Sequence, residues 1–235
     1  MFRGSVQAWR ACRGRRRLAL AVPLLLALLA GALQADWDFS LISRRAEALY
    51  GPLGAGKQRI DDWQATLGRL GGTAEQKQLE EVNRFFNARL RFRDDRELWG
   101  ETDYWATPVQ ALRIGAGDCE DFAIAKYFSL RQLGVPSEKL RITYVKALRL
   151  NQAHMVLTYY ASPNAMPLVL DNLVGAIRPA SQRSDLLPVY AFNAEGLWLA
   201  GSGGGQQVGD AKRLSRWQEL LKKMKAEGFP VEPAR

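Results

Sequence analysis

Residues 115–127 have the sequence GAGDCEDFAIAKY, which predicts the start of a helix buried in the centre of the protein. The glycines allow the backbone to turn sharply, and Asp118 is a favourable N-cap residue, so we expect the helix to begin at Cys119. The residues that follow are apolar on nearly every side, which indicates a helix enclosed within a domain. Gly134 ends the pattern.

The position of Cys119 gives this helix a chemical interpretation. A thiol in the first turn lies at the positive end of the helix dipole, which favours the thiolate, the form that acts as a nucleophile. The alternative is a small cysteine that packs as an apolar side chain, since free cysteine is among the residues most often buried. The helix by itself leaves both interpretations open.

The N-terminal segment has the pattern of a signal peptide. Six arginines precede an apolar run over residues 18–33, which ends in small residues. We expect residues 1–35 to be this segment, with cleavage after Ala35 or Ala32. An uncleaved inner-membrane anchor is the alternative, because the apolar run is near the shortest length that spans a bilayer.

The positive charge of the chain is concentrated in that segment. The sequence has 33 basic and 24 acidic residues, a net charge of +9, and six of the basic residues but none of the acidic ones lie within residues 1–35. The remainder has no concentrated basic face with interleaved aromatic residues, so we exclude nucleic acid as a partner. Cys12 also lies in the segment, which leaves Cys119 as the one cysteine of an exported domain. Because cysteines of exported proteins usually form disulfides, a solitary thiol indicates another use.

The rest of the chain is long enough for one domain with a full core. We predict three parts. Residues 36–72 form an N-terminal helical extension, residues 73–200 form the core, and residues 201–235 form a glycine-rich linker with a basic helix. The linker covers residues 201–209. The basic helix carries Leu214, Trp217 and Leu221 on one face, which predicts that it packs onto the domain.

Three strands are predicted after the central helix, over residues 140–146, 153–160 and 168–171. A turn that contains Ser162 and Pro163 separates the last two strands. If the hairpin is centred between these two residues, His154 lies opposite Asp171. Opposed residues have Cβ atoms about 4.5–5.5 Å apart, close enough for an imidazole to bond a carboxylate.

His154 is the sole histidine of the sequence, so it is the one candidate for a general base of that type. A cysteine at a helix start, a histidine in a strand and an aspartate at the end of the next strand are the groups that nucleophilic thiol catalysis requires. The histidine takes the thiol proton, and the aspartate fixes the tautomer of the histidine. A histidine that only packs in the fold is one alternative. A zinc site built from Cys119, His154 and Asp171 is another, although the paired ligand spacings of structural zinc sites are missing.

Four motifs occur in a recognisable order along the chain: Tyr104–Pro108, Gly117–Ala123, Asn151–Leu157 and Leu170–Asn172. In this combination they resemble the bacterial transglutaminase-like cysteine proteinases, over roughly residues 75–201. The resemblance implies an α+β fold with a papain-like transglutaminase core, in which the central helix packs on an antiparallel sheet. It also implies that Cys119 is the nucleophile, His154 the base and Asp171 the residue that orients the base.

The resemblance further implies calcium as a cofactor, with Asp118 and Glu120 as ligands and Asp121 as a further candidate. The charges give this a physical reason, because three carboxylates beside a thiol disfavour the thiolate and a hard dication held by oxygen ligands would remove that penalty. The alternative is that these acids only cap the helix. Gln110 departs from the acidic residue that the family pattern leads us to expect there.

As a function, the resemblance implies a calcium-dependent periplasmic endopeptidase. Its substrate would be a large repeat adhesin of the cell surface, cut in its N-terminal region to release cells from a biofilm. Its inhibitor would be an inner-membrane cyclic-di-GMP receptor that sequesters the protease through a periplasmic domain. A transglutaminase or amidase with the same three residues, and a calcium-dependent binding module with an inert Cys119, are the alternative functions.

Overall fold

The computed structural model describes residues 36–199, 205–211 and 214–231. The predicted signal peptide lies outside these residues. Among the described helices, none is both long enough and apolar enough to cross a membrane. The described residues of the extension, the core and the C-terminal helix belong to one compact unit.

Seven α-helices are present in the described parts of the chain. They are α1 (Phe39–Tyr50), α2 (Ala55–Leu70), α3 (Glu75–Arg89), α4 (Asp95–Leu98), α5 (Pro108–Ile114), α6 (Cys119–Gln132) and α7 (Ser215–Ala226). The predicted start of the central helix at Cys119 is confirmed, and this helix is α6.

Within the described residues, the main sheet is antiparallel and has seven strands in the order β6-β5-β4-β3-β7-β8-β9. Its strands are β3 (Leu140–Ala147), β4 (Gln152–Tyr159), β5 (Leu168–Leu170), β6 (Arg178–Pro179), β7 (Leu186–Phe192), β8 (Leu197–Leu199) and β9 (Gln206–Gly209). A separate two-stranded parallel ladder joins β1 (Arg91–Phe92) to β2 (Ala116–Gly117).

Helix α6 lies between the sheet and the N-terminal helices. It packs against β3 and β4 on one side and against α3 on the other. Every residue from Glu120 to Leu130 is buried, which explains why the sequence of this helix is apolar on nearly all sides. A polar residue inside this run is satisfied by a neighbouring helix: the Ser129 hydroxyl accepts a 2.8 Å hydrogen bond from the indole N–H of Trp63 in α2.

The turn that leads into Cys119 is fixed by contacts with α2. The guanidinium group of Arg59 donates hydrogen bonds to the carbonyl oxygens of Leu112 and Arg113, at 2.5 and 2.7 Å, and so satisfies the C-terminal end of α5. Gly115 follows with φ = +75°, in the left-handed region that favours glycine. Helices α2 and α5 can approach this closely because a Cβ atom on Gly56 would lie 2.5 Å from the Cα of Arg113.

The register of the β4–β5 hairpin differs from the prediction. Leu157 pairs with Leu170, so continuing the ladder places Val156, not His154, opposite Asp171. The prediction is therefore wrong by two residues. Because side chains alternate with a period of two, this shift leaves His154 and Asp171 on the same face of the sheet as diagonal neighbours.

The C-terminal part of the chain also differs from the predicted linker. Residues 206–209 form β9, which pairs with β8 and extends the sheet. Helix α7 follows, and it packs on the domain as its sequence predicted, through three residues that are at most 1 % exposed: Trp217, Leu220 and Met224. The indole of Trp217 stacks on the ring of Phe128 with centroids 5.5 Å apart.

Replacing Trp217 by alanine should destabilise the whole domain, because the indole fills space between α6, α7 and the sheet. We expect Trp217→Ala to lower the free energy of unfolding by about 3–5 kcal/mol, the usual cost of removing a large buried aromatic side chain. Urea unfolding followed by circular dichroism measures this. Phe92→Ala is the control, since Phe92 is 49 % exposed and its loss should cost less than about 1 kcal/mol. Equal midpoints for the two variants would contradict a core position of α7.

Candidate active site

Cys119 lies where the start of α6 meets strand β4. The backbone amide of Met155 acts on its sulfur and lowers the pKa of the thiol, which places the thiol near the residue that follows His154. The thiol itself donates to Oε2 of Glu120 over 3.1 Å. Burial raises the pKa of the Cys119 thiol, and the negative charges of Glu120 and Asp118 raise it further. In the chain by itself, the surroundings of Cys119 therefore favour the thiol over the thiolate.

His154 and Asp171 form a buried pair. Nε2 of the imidazole lies 2.8 Å from Oδ1 of Asp171, and neither side chain is more than 2 % exposed. Because Nε2 faces the carboxylate, Nδ1 is the ring nitrogen left for a reacting group. The structure thus brings together the histidine and the aspartate that the sequence singled out, although by a diagonal rather than a direct cross-strand contact.

Two groups besides the imidazole of His154 hold the carboxylate of Asp171. The amide of Leu173 donates to Oδ1 over 3.0 Å, and the guanidinium group of Arg183 donates to Oδ2 over 2.7 Å. Burial opposes ionisation of Asp171, but the hydrogen bonds from His154, Leu173 and Arg183 outweigh it and lower the pKa of the carboxyl to about 2. Asp171 is therefore ionised over the whole physiological range and can orient the imidazole permanently.

Arg183 was missed by the sequence analysis. It follows a short 3₁₀ turn, Ala180–Gln182, and its guanidinium group also pairs with the carboxylate of Asp185. Nothing in the local sequence distinguishes this arginine from the others, because its partner Asp171 comes from a different element. Only the packing of the 3₁₀ turn against β5 identifies it.

Lys126 is a second basic residue near Asp171 that the sequence did not identify. It lies two helical turns after Cys119, it is 0 % exposed, and its ammonium group has no hydrogen-bond partner among the described residues. Burial lowers the pKa of Lys126 to about 7, and the charge of Asp171 acts in the opposite direction.

A cluster of five acidic residues borders the thiol. The predicted ligands Asp118, Glu120 and Asp121 belong to it, and the structure adds two residues from the preceding segment, Asp95 and Asp103. Their oxygen atoms form three overlapping groups, each within 4.8 Å: Asp118 and Glu120 with the thiol of Cys119; Asp95 with Asp118 and Asp121; and Asp95 with Asp103 and Glu120. The two added residues carry no recognisable spacing, since they come from α4 and the loop that follows it.

Backbone amides orient two of these acids. The amide of Tyr104 donates to Oδ2 of Asp95, and the amide of Ala106 donates to Oδ1 of Asp121 over 2.7 Å. Oδ1 of Asp95 and Oδ1 of Asp118 are buried and have no hydrogen-bond partner among the described residues. Buried carboxylate oxygens without partners are unusual, because the desolvation cost is not repaid.

The charges of the cluster point to a cation. Burial raises the pKa of Asp95 to about 6, and burial together with the neighbouring carboxylates raises the pKa of Asp118 and of Asp121. A hard dication bound by oxygen ligands would offset this repulsion and satisfy the two unpartnered oxygens. The donor set therefore fits calcium, with Asp95, Asp118, Glu120 and Asp121 as the residues that would hold it.

Gln110, the departure from the family pattern, has a defined structural role. Its side-chain oxygen accepts from the amide of Thr107 over 3.0 Å, and the hydroxyl of Thr107 accepts from the amide of Gln110 over 3.1 Å. Its side-chain nitrogen donates to the hydroxyl of Tyr104 over 2.7 Å. A glutamine suits this place because it accepts and donates at once, and its contacts close the first turn of α5.

Comparison with known proteins identifies the family. The sequence profile of the bacterial transglutaminase-like cysteine proteinases matches residues 64–187, which is more than half of the chain and includes Cys119, His154 and Asp171. The chain belongs to this family. The family and the α+β papain-like transglutaminase fold that the motifs implied are both confirmed. A search of curated proteins found no match.

Solved structures of LapG from Legionella pneumophila have a similar fold. One is 44 % identical, with a TM-score of 0.69, and the match covers 80 % of this chain and 98 % of that one. LapG treated with EGTA gives the same identity and coverage with a TM-score of 0.70. Calcium-bound LapG is 43 % identical, with a TM-score of 0.67 and coverage of 78 % of this chain and 98 % of that one.

The acidic cluster should make the stability of this cysteine proteinase depend on pH and calcium together. An acid whose pKa is raised by folding binds its proton more tightly in the folded chain, so folding becomes less favourable as the pH rises through that interval. For Asp95 the interval runs from 3.8 to about 6. Calcium at about 100 times its dissociation constant should then add about 2.7 kcal/mol, or roughly 5–10 °C in Tm, at pH 7, and much less at pH 5.

Differential scanning calorimetry with and without calcium measures this effect. Asp118→Asn should remove most of it, whereas Asp61→Asn, which changes an acid paired with Lys57 on α2, should keep it. An identical Tm with and without calcium at pH 7 would contradict the cation site.

Proposed function

We propose that this protein is a calcium-dependent cysteine endopeptidase in which Cys119 is the nucleophile, His154 the general base and Asp171 the residue that orients the base. The observation that carries the proposal is the buried pair of His154 and Asp171 beside a helix N-terminus that presents a single free thiol. Membership of a cysteine proteinase family supports the same assignment.

The chemistry that we propose for the three side chains is nucleophilic thiol catalysis. His154 takes the proton of the Cys119 thiol through Nδ1, while Asp171 holds Nε2 and stabilises the imidazolium that forms. The thiolate attacks the carbonyl carbon of the scissile peptide bond. As the C–N bond breaks, the imidazolium gives its proton to the leaving amine, and the acyl group stays on sulfur as a thioester. His154 then removes a proton from a water molecule that attacks the thioester, which releases the carboxylate product and the thiol.

The acidic cluster creates the electrostatic difficulty that calcium would relieve. The carboxylate of Glu120 accepts a hydrogen bond from the Cys119 thiol. Together with Asp118 it raises the pKa of this thiol, in addition to the effect of burial. A bound calcium ion would supply positive charge beside these carboxylates and so favour the thiolate. Asp95, Asp118, Glu120 and Asp121 would hold it, and the amide of Ala106 would keep Asp121 in place.

For the biological role, we propose periplasmic cleavage of the N-terminal region of a large repeat adhesin, which controls biofilm release. We also propose an inner-membrane cyclic-di-GMP receptor as the inhibitory partner, acting through its periplasmic domain. Support for the compartment comes from the signal-peptide pattern of residues 1–35. Support for the substrate and the receptor comes from the resemblance of the four motifs to the family.

Variants of the three residues test the proposed mechanism. Cys119→Ala and His154→Ala should each lower the cleavage rate of an adhesin N-terminal fragment by at least about 1,000-fold, because the nucleophile and its base act as a unit. Asp171→Asn should lose about 100- to 10,000-fold, since the base loses its orientation but remains present. Initial rates are read from fragments resolved on gels, with circular dichroism to check the fold.

Asp185→Asn is the matched control for Asp171→Asn. It removes the other carboxylate that Arg183 binds but leaves the bond between His154 and Asp171 intact, so it should retain most of the activity. Wild-type cleavage by Cys119→Ala or His154→Ala would exclude the triad. A cross-linked amine adduct in place of two shorter fragments would instead indicate a transglutaminase.

Calcium removal tests the cofactor. A calcium-selective chelator should stop cleavage and slow the alkylation of Cys119 by iodoacetamide at neutral pH, because the thiolate becomes less favourable. Asp118→Ala and Glu120→Ala should reproduce the effect, and so should Asp95→Asn, which alters the ligand that only the structure identified.

The neighbouring Asp94→Asn is the control for Asp95→Asn. Asp94 is exposed, and its side chain makes no capping hydrogen bond to α4, so this variant should cleave at the wild-type rate. Full activity of rigorously calcium-free protein would contradict the calcium requirement. The acidic residues at the start of α6 would then serve only to cap the helix.

A further inference from the structure

Helix α7 and its C-cap residue, Glu227, contact one short piece of chain through three charged side chains. This piece, which we call the bridging segment, comprises residues 103–107, the part of the α4–α5 connection that leads into α5. Arg216 pairs with Asp103 over 3.2 Å, Lys223 reaches the middle of the segment, and Glu227 reaches its end. Because α7 is packed into the core, these contacts tie the bridging segment to a fixed element.

The contact of Lys223 is the most informative of the three. Its ammonium group donates a 2.6 Å hydrogen bond to the carbonyl oxygen of Trp105 and lies 3.7 Å above the ring centroid of Tyr104. The N–H on the opposite side of the same peptide unit belongs to Ala106, and it donates to Oδ1 of Asp121 over 2.7 Å. Since a peptide unit is planar, holding its carbonyl oxygen also fixes the direction of its N–H.

Glu227 holds the end of the segment. Its carboxyl group is 0 % exposed and accepts hydrogen bonds from the hydroxyls of Tyr50, over 2.8 Å, and Thr107, over 2.6 Å. The hydroxyl of Thr107 is also the N-cap acceptor of α5. The bridging segment is therefore held at the residue that begins the next helix as well as at its centre.

We propose that Lys223 is a positioning residue for the acidic cluster: by fixing the peptide unit between Trp105 and Ala106 it holds Asp121 in place for a bound cation. The inference rests on the calcium site of the proposed function. It extends the site to a helix that lies outside residues 64–187, the part that matches the family profile.

The chemistry of the chain of contacts supports a sizeable effect. An ammonium group on a carbonyl oxygen makes a charge-assisted hydrogen bond, which is stronger than a neutral one. It also polarises the amide, so the bond from Ala106 to Asp121 becomes stronger. Oδ2 of Asp121 accepts from the amide of Asp118 over 3.3 Å, so a displaced Asp121 would also disturb the first turn of α6.

Calcium affinity tests the inference without any substrate. In the full chain, Lys223→Met keeps the length and the apolar stem of the side chain but removes the donor. We expect it to weaken calcium binding about tenfold in isothermal titration calorimetry. Lys225→Met is the matched control, because Lys225 lies on the same helix but is exposed, and it should bind calcium as the wild type does. If Lys223→Met does not fold, Lys223→Leu, which also lacks a donor, takes its place.

Amide hydrogen exchange in calcium-free protein gives a second readout that does not depend on the cation. The amide of Ala106 should exchange about tenfold faster in Lys223→Met than in the wild type, while the amides of Ile124 and Leu130 in α6 should be unchanged. A purely structural role of Lys223 would accelerate all three amides together.

The outcomes separate this inference from the proposed function. Wild-type calcium affinity and wild-type exchange of Ala106 in Lys223→Met would overturn the inference and leave the calcium site standing. Failure of the wild-type protein to bind calcium would remove the cation from the proposed function. Exchange of Ala106 would then decide whether Lys223 holds the amide that orients Asp121.

Discussion

Burial of α6 from Glu120 to Leu130 is the constraint on which the rest of this structure depends. A helix that is apolar on nearly every side must be covered by the sheet on one side and by other helices on the other. Its first residue, Cys119, then lies at the edge of β4, where the amide of Met155 reaches the sulfur. The thiol is thus brought to strand β4, beside the residue that follows His154, by the packing of the whole helix and not by any local feature of the active site.

The two sides of the candidate site have opposite electrostatics. Asp171 is surrounded by hydrogen-bond donors, with Arg183 on one oxygen and His154 and Leu173 on the other, so its negative charge is well stabilised. Among the described residues, Asp103 of the acidic cluster pairs with Arg216, but the other four acids beside Cys119 have no ion-pair partner, and two of their buried oxygens accept no hydrogen bond. The charge of Asp171 is balanced by Arg183 of the same chain, whereas the acidic cluster fits a cation bound from solution.

The C-terminal helix α7 contributes both to the core and to the surroundings of the acidic cluster, although it is distant from the cluster in the sequence. Its apolar face is part of the core, and its polar side chains meet the bridging segment that carries the amides of Tyr104 and Ala106. The acidic cluster is consequently supported from two directions, by the first turn of α6 and by α7. A site assembled from such separate parts requires the full domain.

The sequence alone determined the helix start at Cys119, the strand that contains His154 with its two neighbouring strands, and the family. These features depend on local periodicity, on helix caps and on the order of motifs along the chain. It did not determine that Arg183 binds Asp171, that Asp95 joins the acidic cluster, or that residues 206–209 form a strand. It also placed His154 two residues from its true partner in the ladder. Each of these depends on which elements meet in space. A strand register or a contact between distant side chains is decided by the packing energy of the whole domain. That energy cannot be read from any short stretch of sequence.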